Sequence, residues 1–128
     1  MKLDHIALWA EDMEHLKDFY VRYFNATPGD IYNNPVKRFS SYFLTFPDGD
    51  TRLEIMNMPD IINGSGMDRT KGYCHIAISV GTREAVDTLT ETLRLAGIKI
   101  IGNPRITGDS YYESVIVDPE GNLIEITA

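Results

Sequence analysis

The sequence contains one cysteine, no long apolar run and fewer basic than acidic residues, and each shortage excludes a class of protein. A single cysteine, Cys74, cannot form a disulfide within the chain, which excludes the disulfide-stabilised secreted scaffolds. No apolar run approaches the roughly 20 residues that a membrane-spanning helix needs, and the N-terminal segment lacks the apolar region of a signal peptide. The 12 Lys and Arg residues against 19 Asp and Glu residues give a net charge of −7, which argues against nucleic-acid binding. We therefore expect a cytoplasmic protein that binds neither nucleic acid nor a membrane.

The remaining composition is that of a folded domain. The chain has 128 residues, of which 43% are hydrophobic and 24% charged, so it is long enough to bury one core. Because the apolar residues Tyr73 and Ile76 lie close to Cys74, we interpret this cysteine as a buried structural thiol.

An internal repeat is the most informative feature of the sequence. Two pairs of segments resemble each other, namely 3–12 (LDHIALWAED) with 73–82 (YCHIAISVGT), and 46–56 (FPDGDTRLEIM) with 117–127 (VDPEGNLIEIT). The repeat aligns His5 with His75 and Glu54 with Glu125, and the His and Glu of each half are 49 and 50 residues apart. Self-similarity of this kind predicts two copies of one structural unit.

Each half contains the signals of a strand, a helix, and then two or three strands. Apolar residues at helical spacing follow a capping residue in both halves: Asp12 precedes Leu16, Phe19, Tyr20 and Tyr23, and Thr82 precedes Val86, Leu89, Leu93 and Ala96. β-Branched and aromatic runs predict strands at 3–9, 38–46, 51–57, 73–79, 98–101, 110–117 and 122–127. The polar, Gly-rich stretch 58–72 is predicted to link module 1–57 to module 73–128. We expect one α+β domain over 1–128, because a module of about 60 residues is only marginally stable alone.

Strand alternation places the aligned His and Glu residues on equivalent faces. Each of His5, Glu54, His75 and Glu125 alternates with Ile or Leu residues of its predicted strand, which must point to the opposite, helix-packed face. These Ile and Leu residues are Ile6 and Leu8, Leu53 and Ile55, Ile76 and Ile78, and Ile124 and Ile126. Imidazole nitrogen and carboxylate oxygen are suitable ligands for Zn, Ni, Co or Mn, so the four residues predict one divalent metal site. The alternative for either histidine alone is a hydrogen-bonded core residue.

Further residues are candidates for substrate binding. Trp9 and Met56 are predicted to share a strand face with His5 and Glu54, and Arg52, Lys71 and Arg105 could meet an anionic substrate. For the three cations, the alternative is an ordinary solvated surface position.

With these residues in place, the sequence resembles the vicinal-oxygen-chelate superfamily, which includes glyoxalase I and the bleomycin-resistance-like proteins. The motifs that carry the resemblance are DHIAL with His5, RLEI with Glu54, CHIAI with His75 and DPEGNLIEI with Glu125. The resemblance extends over essentially the whole chain, and the His/Glu/His/Glu set narrows it to the glyoxalase I (lactoylglutathione lyase) branch. It implies two paired βαβββ modules that form a U-shaped mixed sheet around a metal, and a homodimer in which the ligands of one site come from one chain or two.

The resemblance also implies a reaction. Glyoxalase I converts the hemithioacetal of a 2-oxoaldehyde and a thiol to a 2-hydroxyacyl thioester through an enediolate, using one divalent metal ion. By this likeness Glu125 is the first candidate for the catalytic base and Glu54 the second, while His5 and His75 only coordinate the metal.

Two departures from the glyoxalase I pattern concern the thiol. Trp9 and Met58 occupy the positions where glyoxalase I has an Arg and an Asn that hold the glutathione carboxylates. A different thiol, or a small apolar substrate that stacks on Trp9, therefore fits at least as well. Two alternatives remain: a metalloenzyme of the superfamily that acts on another vicinal-oxygen substrate (an epimerase, thiol transferase or hydrolase), and a non-catalytic module that binds a small molecule.

Overall fold

The structure is a computed structural model that describes residues 2–62, 71–108 and 110–128. The chain divides into two compact units, Met1–Asn63 and Gly64–Ala128. Most of the predicted linker, residues 63–70, lies outside the described residues. Within the described ranges, no helix is long and apolar enough to cross a membrane.

The first unit is a mixed sheet with one helix. Its elements are β1 (His5–Trp9), α1 (Met13–Phe24), β2 (Thr27–Pro28), β3 (Tyr32–Asn34), β4 (Phe39–Phe46) and β5 (Gly49–Asn57). The strand order is β1-β5-β4-β2, and β3 also pairs with β4. Strands β1 and β5 are parallel, and the other pairs are antiparallel.

The second unit repeats this plan. Its elements are β6 (His75–Ser79), α2 (Arg83–Leu95), β7 (Ile100–Ile106), β8 (Tyr112–Val117) and β9 (Leu123–Thr127). The strand order β6-β9-β8-β7 again pairs the first and last strands in parallel. The predicted α+β fold of two βαβββ modules is therefore confirmed, with the second-strand position of the first module, directly after the helix, divided between β2 and β3.

Strands β2, β3 and the second half of β7 differ from the sequence prediction. Strands β2 (TP) and β3 (YNN) are short and polar, so they carry no alternating apolar signal. Strand β7 continues past the predicted end at 101 to Ile106, although it contains Gly102 and Pro104. Its pairing with β8 shifts register on both sides of Gly102, and such bulges accommodate a proline in a strand.

Both helices begin at the predicted caps. The Asp12 side chain accepts a hydrogen bond from the backbone N–H of His15 at 2.9 Å, and Thr82 accepts one from Ala85 at 3.1 Å. Helix α2 ends before Gly97, whose φ of +82° suits glycine.

Most residues of the predicted apolar helix faces are buried, but a few are not, and each helix buries one residue that was not predicted. In α1, Phe24 is buried whereas Tyr23 is only partly buried. In α2, Thr90 is buried whereas Ala96 is exposed and Leu89 is partly buried. Burial of Thr90 is possible because its hydroxyl donates to the Val86 carbonyl at 2.6 Å and meets the Ser114 hydroxyl at 2.6 Å.

The core of each unit lies between the helix and one face of its sheet. Buried aliphatic side chains line this face, namely Leu44, Leu53 and Ile55 in the first unit and Ile116, Ile124 and Ile126 in the second. Each contributes about 1.5–3 kcal/mol by its burial. The helix therefore covers one face of the sheet, and side chains at the alternate positions project from the other.

The interpretation of Cys74 as a buried thiol is wrong. Cys74 is exposed, and the neighbouring Tyr73 is fully exposed. Both residues precede β6, so neither belongs to the paired part of the sheet that α2 covers.

Candidate functional site

The first unit brings His5 and Glu54 together on the sheet face away from α1. Because β1 and β5 are parallel, Ala7 lies opposite Glu54. His5 is two residues before Ala7 on β1, so it lies on the same sheet face as Glu54 and diagonally across from it. The His5 Nε2 and Glu54 Oε2 atoms are 3.7 Å apart. Leu53 and Ile55, on either side of Glu54, are buried on the opposite face, as the alternation predicted.

The second unit brings His75 and Glu125 together in the equivalent place. Strand β9 sets Glu125 opposite Ala77, and the His75 Nε2 and Glu125 Oε2 atoms are 3.2 Å apart. Ile124 and Ile126, which flank Glu125, are fully buried on the other face. The internal repeat of the sequence is thus a repeat of a His–Glu pair.

The donor atoms of each pair suit a divalent metal ion. Two N or O ligands at about 2.1 Å from one ion stand about 3.0–3.4 Å apart in octahedral or tetrahedral geometry. The His75–Glu125 separation lies in this range and the His5–Glu54 separation is slightly wider. All four side chains are partly exposed, so their donor atoms are accessible to an ion.

Neither pair forms part of a larger cluster in this structure. Among residues 2–62, 71–108 and 110–128, no group of three or more His, Cys, Asp or Glu side chains is placed to hold a metal ion. Two ligands are fewer than the three or four that protein metal sites ordinarily use. Each unit therefore supplies half of the predicted ligand set.

Three side chains, those of Asp4, Arg52 and Phe43, form a closed series of contacts with His5. Its Nδ1 atom lies 2.9 Å from Asp4 Oδ2, and Arg52 donates a hydrogen bond to the same oxygen. The Arg52 guanidinium lies 4.3 Å from the centre of the Phe43 ring, and Phe43 contacts the His5 ring edge-to-face at 5.3 Å. The hydrogen bonds from His5 and then from Arg52 hold the pKa of Asp4 below its usual range.

The surroundings of His75 are different. Cys74 precedes it in the position that Asp4 has before His5. Leu123 pairs with His75 across the parallel strands, whereas Arg52 pairs with His5. Neither residue can supply the carboxylate or the cation present in the first unit.

Trp9 and Met56 extend the His5–Glu54 face toward an aromatic cluster. They are paired across β1 and β5, and Trp9 is 45% exposed. The ring of Phe39 contacts both Trp9, edge-to-face at 6.2 Å, and Tyr32, also at 6.2 Å. We call Trp9, Phe39 and Tyr32 the aromatic cluster. Met56, which pairs with Trp9, stands two residues from Glu54 along β5, or about 7 Å.

The other two predicted cationic contacts, Arg105 and Lys71, have different positions. Arg105 lies on β7 and donates a hydrogen bond from Nη2 to Glu113 Oε1 at 3.3 Å. Its guanidinium uses space left by the missing side chain of Gly102, since a Cβ there would lie 2.8 Å from Nη1. Lys71 is exposed and lies outside any helix or strand.

Sequence reasoning missed Asp4, Phe39 and Tyr32, and it considered Arg52 only as a contact for an anionic substrate, not as the partner of Asp4. The residue before His5 carried no signal by itself, and the Asp4–Arg52 contact depends on the parallel register of β1 and β5. Asn57, which precedes Met58 at the end of β5, donates hydrogen bonds to the carbonyls of Ala10 and Glu11. Its amide is therefore used to join β5 to the segment before α1.

Comparisons with known proteins agree with this architecture. The family model of the Glyoxalase/Bleomycin resistance protein/Dioxygenase superfamily matches residues 2–126. The glyoxalase family protein from Enterococcus faecalis is 22% identical, with a TM-score of 0.81 over 99% of this chain and 97% of the other. The trypanothione-dependent glyoxalase I from Leishmania major is 20% identical, with a TM-score of 0.77 over 99% and 86%.

A genomically encoded fosfomycin resistance protein from Listeria monocytogenes has the same fold, with 21% identity and a TM-score of 0.71 over 99% of this chain and 90% of the other. A search of curated proteins found no significant match. At these identities the solved structures establish the fold, and the family model establishes membership. The chain belongs to the Glyoxalase/Bleomycin resistance protein/Dioxygenase superfamily.

Proposed function

We propose that this protein is a metal-dependent isomerase of the glyoxalase I type, which converts a hemithioacetal to a 2-hydroxyacyl thioester. The observation that supports it most directly is the presence of two His–Glu pairs at equivalent places on two repeated sheets, with Nε2–Oε2 distances of 3.7 and 3.2 Å. The Glu54 and Glu125 side chains are only 14% and 22% exposed, and a carboxylate largely removed from water is stabilised by a cation such as a metal ion. The family relationship supports a small-molecule substrate.

His5, Glu54, His75 and Glu125 would together hold one divalent metal ion, of Ni, Zn, Co or Mn. Each unit contributes two ligands, so a full set requires both units, from one chain or from two copies in a homodimer. The bound ion would supply positive charge that stabilises negative charge on two adjacent substrate oxygens.

The proton transfer would depend on a carboxylate of this set. The reaction removes a proton from the carbon that carries the sulfur and returns it to the adjacent carbon, so no oxidant or reductant is needed. We assign Glu125 as the first candidate for the proton acceptor and Glu54 as the second. A carboxylate beside the reacting carbon is suited to both the removal and the return of the proton.

The aromatic cluster supports a substrate with an apolar or aromatic substituent. Trp9, 45% exposed, lies on the same sheet face as His5 and pairs with Met56, which stands two residues from Glu54 on β5. Two features disfavour glutathione as the thiol. Trp9 offers no charge to a glutathione carboxylate, and the amide of Asn57 is already bonded to two backbone carbonyls.

A turnover assay with matched variants tests this proposal. Protein loaded with Ni or Zn would be supplied with hemithioacetals of methylglyoxal and phenylglyoxal, each formed with glutathione or cysteine, and thioester formation followed. We expect Glu125→Gln to bind metal and to lose about two to four orders of magnitude in turnover, as removal of a general base does. The control Glu84→Gln changes an exposed carboxylate in the first turn of α2 and should leave turnover unchanged.

Several results would contradict the proposal. If Glu125→Gln keeps wild-type turnover while Glu54→Gln abolishes it, the proton acceptor is Glu54 and the assignment of Glu125 is wrong. If both variants stay active, the proton-transfer mechanism is wrong. Metal binding without turnover of any hemithioacetal would favour a metalloenzyme with another vicinal-oxygen substrate, and absence of both would favour a binding module.

A further inference from the structure

The two histidines of the proposed metal site differ in the side chains that contact their rings. His5 contacts Asp4 through Nδ1 at 2.9 Å and faces Glu54 through Nε2 at 3.7 Å. A carboxylate can only accept a hydrogen bond, so Nδ1 must carry the proton. The Nε2 atom of a neutral His5 then has its lone pair directed to the side where Glu54 lies.

Arg52 holds Asp4 in the position from which it accepts the hydrogen bond of His5 Nδ1. Its Nη2 atom donates to Asp4 Oδ2, the same oxygen that His5 approaches. The Phe43 ring lies against both the Arg52 guanidinium and the His5 imidazole. The parallel register sets Arg52 directly opposite His5, so the backbone of the two strands fixes this arrangement.

Among the described residues, the three positions that correspond to Asp4, Arg52 and Phe43 carry different side chains around His75. Cys74 replaces Asp4, Leu123 replaces Arg52, and Val115 stands opposite Glu125 where Phe43 stands opposite Glu54. The two half-sites therefore have the same ligands and different surroundings.

We propose that Asp4, held by Arg52, is a positioning residue that keeps His5 in its Nδ1–H tautomer and orients Nε2 toward a metal ion. This inference rests on the proposed metal site. Carboxylates that accept a hydrogen bond from a ligating histidine fix its ring orientation and raise its basicity, and their loss typically weakens metal binding about 10–100-fold.

The tautomer of each histidine can be measured on metal-free protein by long-range ¹H–¹⁵N NMR, above the ordinary titration range of imidazole. We expect the Nδ1–H form for His5 in the wild type and a shift toward the Nε2–H form in Asp4→Ala. His75 is the internal control, and its signals should not change. The control Asp30→Ala, on the exposed segment between β2 and β3, should leave both histidines unchanged.

Titration with ZnCl₂ provides the second measurement. Asp4→Ala should bind zinc about 10–100-fold more weakly than the wild type, and Arg52→Gln should show a smaller loss because Asp4 remains. Asp4 is exposed, so its replacement should not unfold the chain, and Asp4→Asn provides a second variant that retains an acceptor oxygen. We expect Asp4→Asn to recover part of the zinc affinity and of the Nδ1–H signal.

Three outcomes would overturn the inference: an Nε2–H tautomer of His5 in the wild type, an unchanged tautomer in Asp4→Ala, or unchanged zinc affinity in that variant. Wild-type protein that binds no zinc would overturn it as well. The tautomer measurement needs neither metal nor substrate. Its result can therefore be interpreted even if the protein lacks the proposed isomerase activity.

Discussion

Replacing Trp9 by alanine should weaken the use of aromatic substrates selectively. The indole is 45% exposed, and a tryptophan side chain presents about 250 Å² in all, which leaves about 110 Å² accessible. A substrate ring can cover one face of the indole, or about 55 Å². At about 25 cal/mol per Å² this contact is worth about 1.4 kcal/mol, which corresponds to a tenfold change in kcat/KM.

The assay compares hemithioacetals of phenylglyoxal and methylglyoxal made with the same thiol. For Trp9→Ala we expect kcat/KM to fall about tenfold with the phenyl compound and by less than twofold with the methyl compound, since a methyl group covers little of the indole. The matched control Trp9→Phe keeps an aromatic ring next to Phe39 and should keep most of the phenyl preference. Metal content must be equal in all three proteins.

An equal loss with both substrates would refute this reasoning, because it would mean that Trp9 shapes the site generally and does not contact the substituent. An unchanged phenyl preference would show that the aromatic cluster lies outside the substrate site. Trp9→Arg addresses the thiol, and it should raise activity with glutathione adducts if the native thiol is smaller or differently charged.

Three further predictions concern stability and assembly. Thr90→Val should lower the free energy of unfolding by about 1–3 kcal/mol, because it leaves the buried Ser114 hydroxyl without its partner. Ser114→Ala should lower it by less, because Thr90 keeps its hydrogen bond to the Val86 carbonyl. Urea unfolding measures both costs, and equal costs would contradict this account. Hydrogen bonds from Lys17 and Tyr42 lower the pKa of Glu14, so they stabilise the fold above pH 4.5 and this contribution disappears as pH falls through the lowered pKa. Tyr42→Phe should therefore cost up to about 1 kcal/mol at neutral pH and less in acid, and a cost that grows in acid would be inconsistent with this sign. Sedimentation at micromolar concentration should give about twice the chain mass, since a homodimer is proposed; a monomer that binds metal would show that one chain completes the site.

Most of the fold could be predicted because its determinants are local or repeated. Asp12 and Thr82 cap their helices through contacts three residues away, which a sequence pattern reveals directly. The faces of Glu54 and Glu125 follow from strict strand alternation beside buried isoleucines. The internal repeat then indicated that both halves share one plan.

What could not be predicted depends on register and on polar pairing. The Asp4–Arg52 contact joins residues 48 positions apart and exists because β1 and β5 are parallel with His5 opposite Arg52. The aromatic cluster likewise requires the positions of three strands. The burial of Thr90 depends on a hydroxyl partner on β8, whereas apolar periodicity alone favoured Leu89.

Metal stoichiometry with single-ligand variants tests the central proposal most directly. Purified protein without a tag would be incubated with Ni, Co, Zn and Mn in turn, freed of excess ion and analysed for bound metal. The proposal predicts one ion per chain in the wild type and in His15→Ala, which changes an exposed histidine on α1, and loss of that ion in His75→Ala and Glu54→Ala. Absence of stoichiometric metal under every condition, or undiminished binding in His75→Ala, would contradict it.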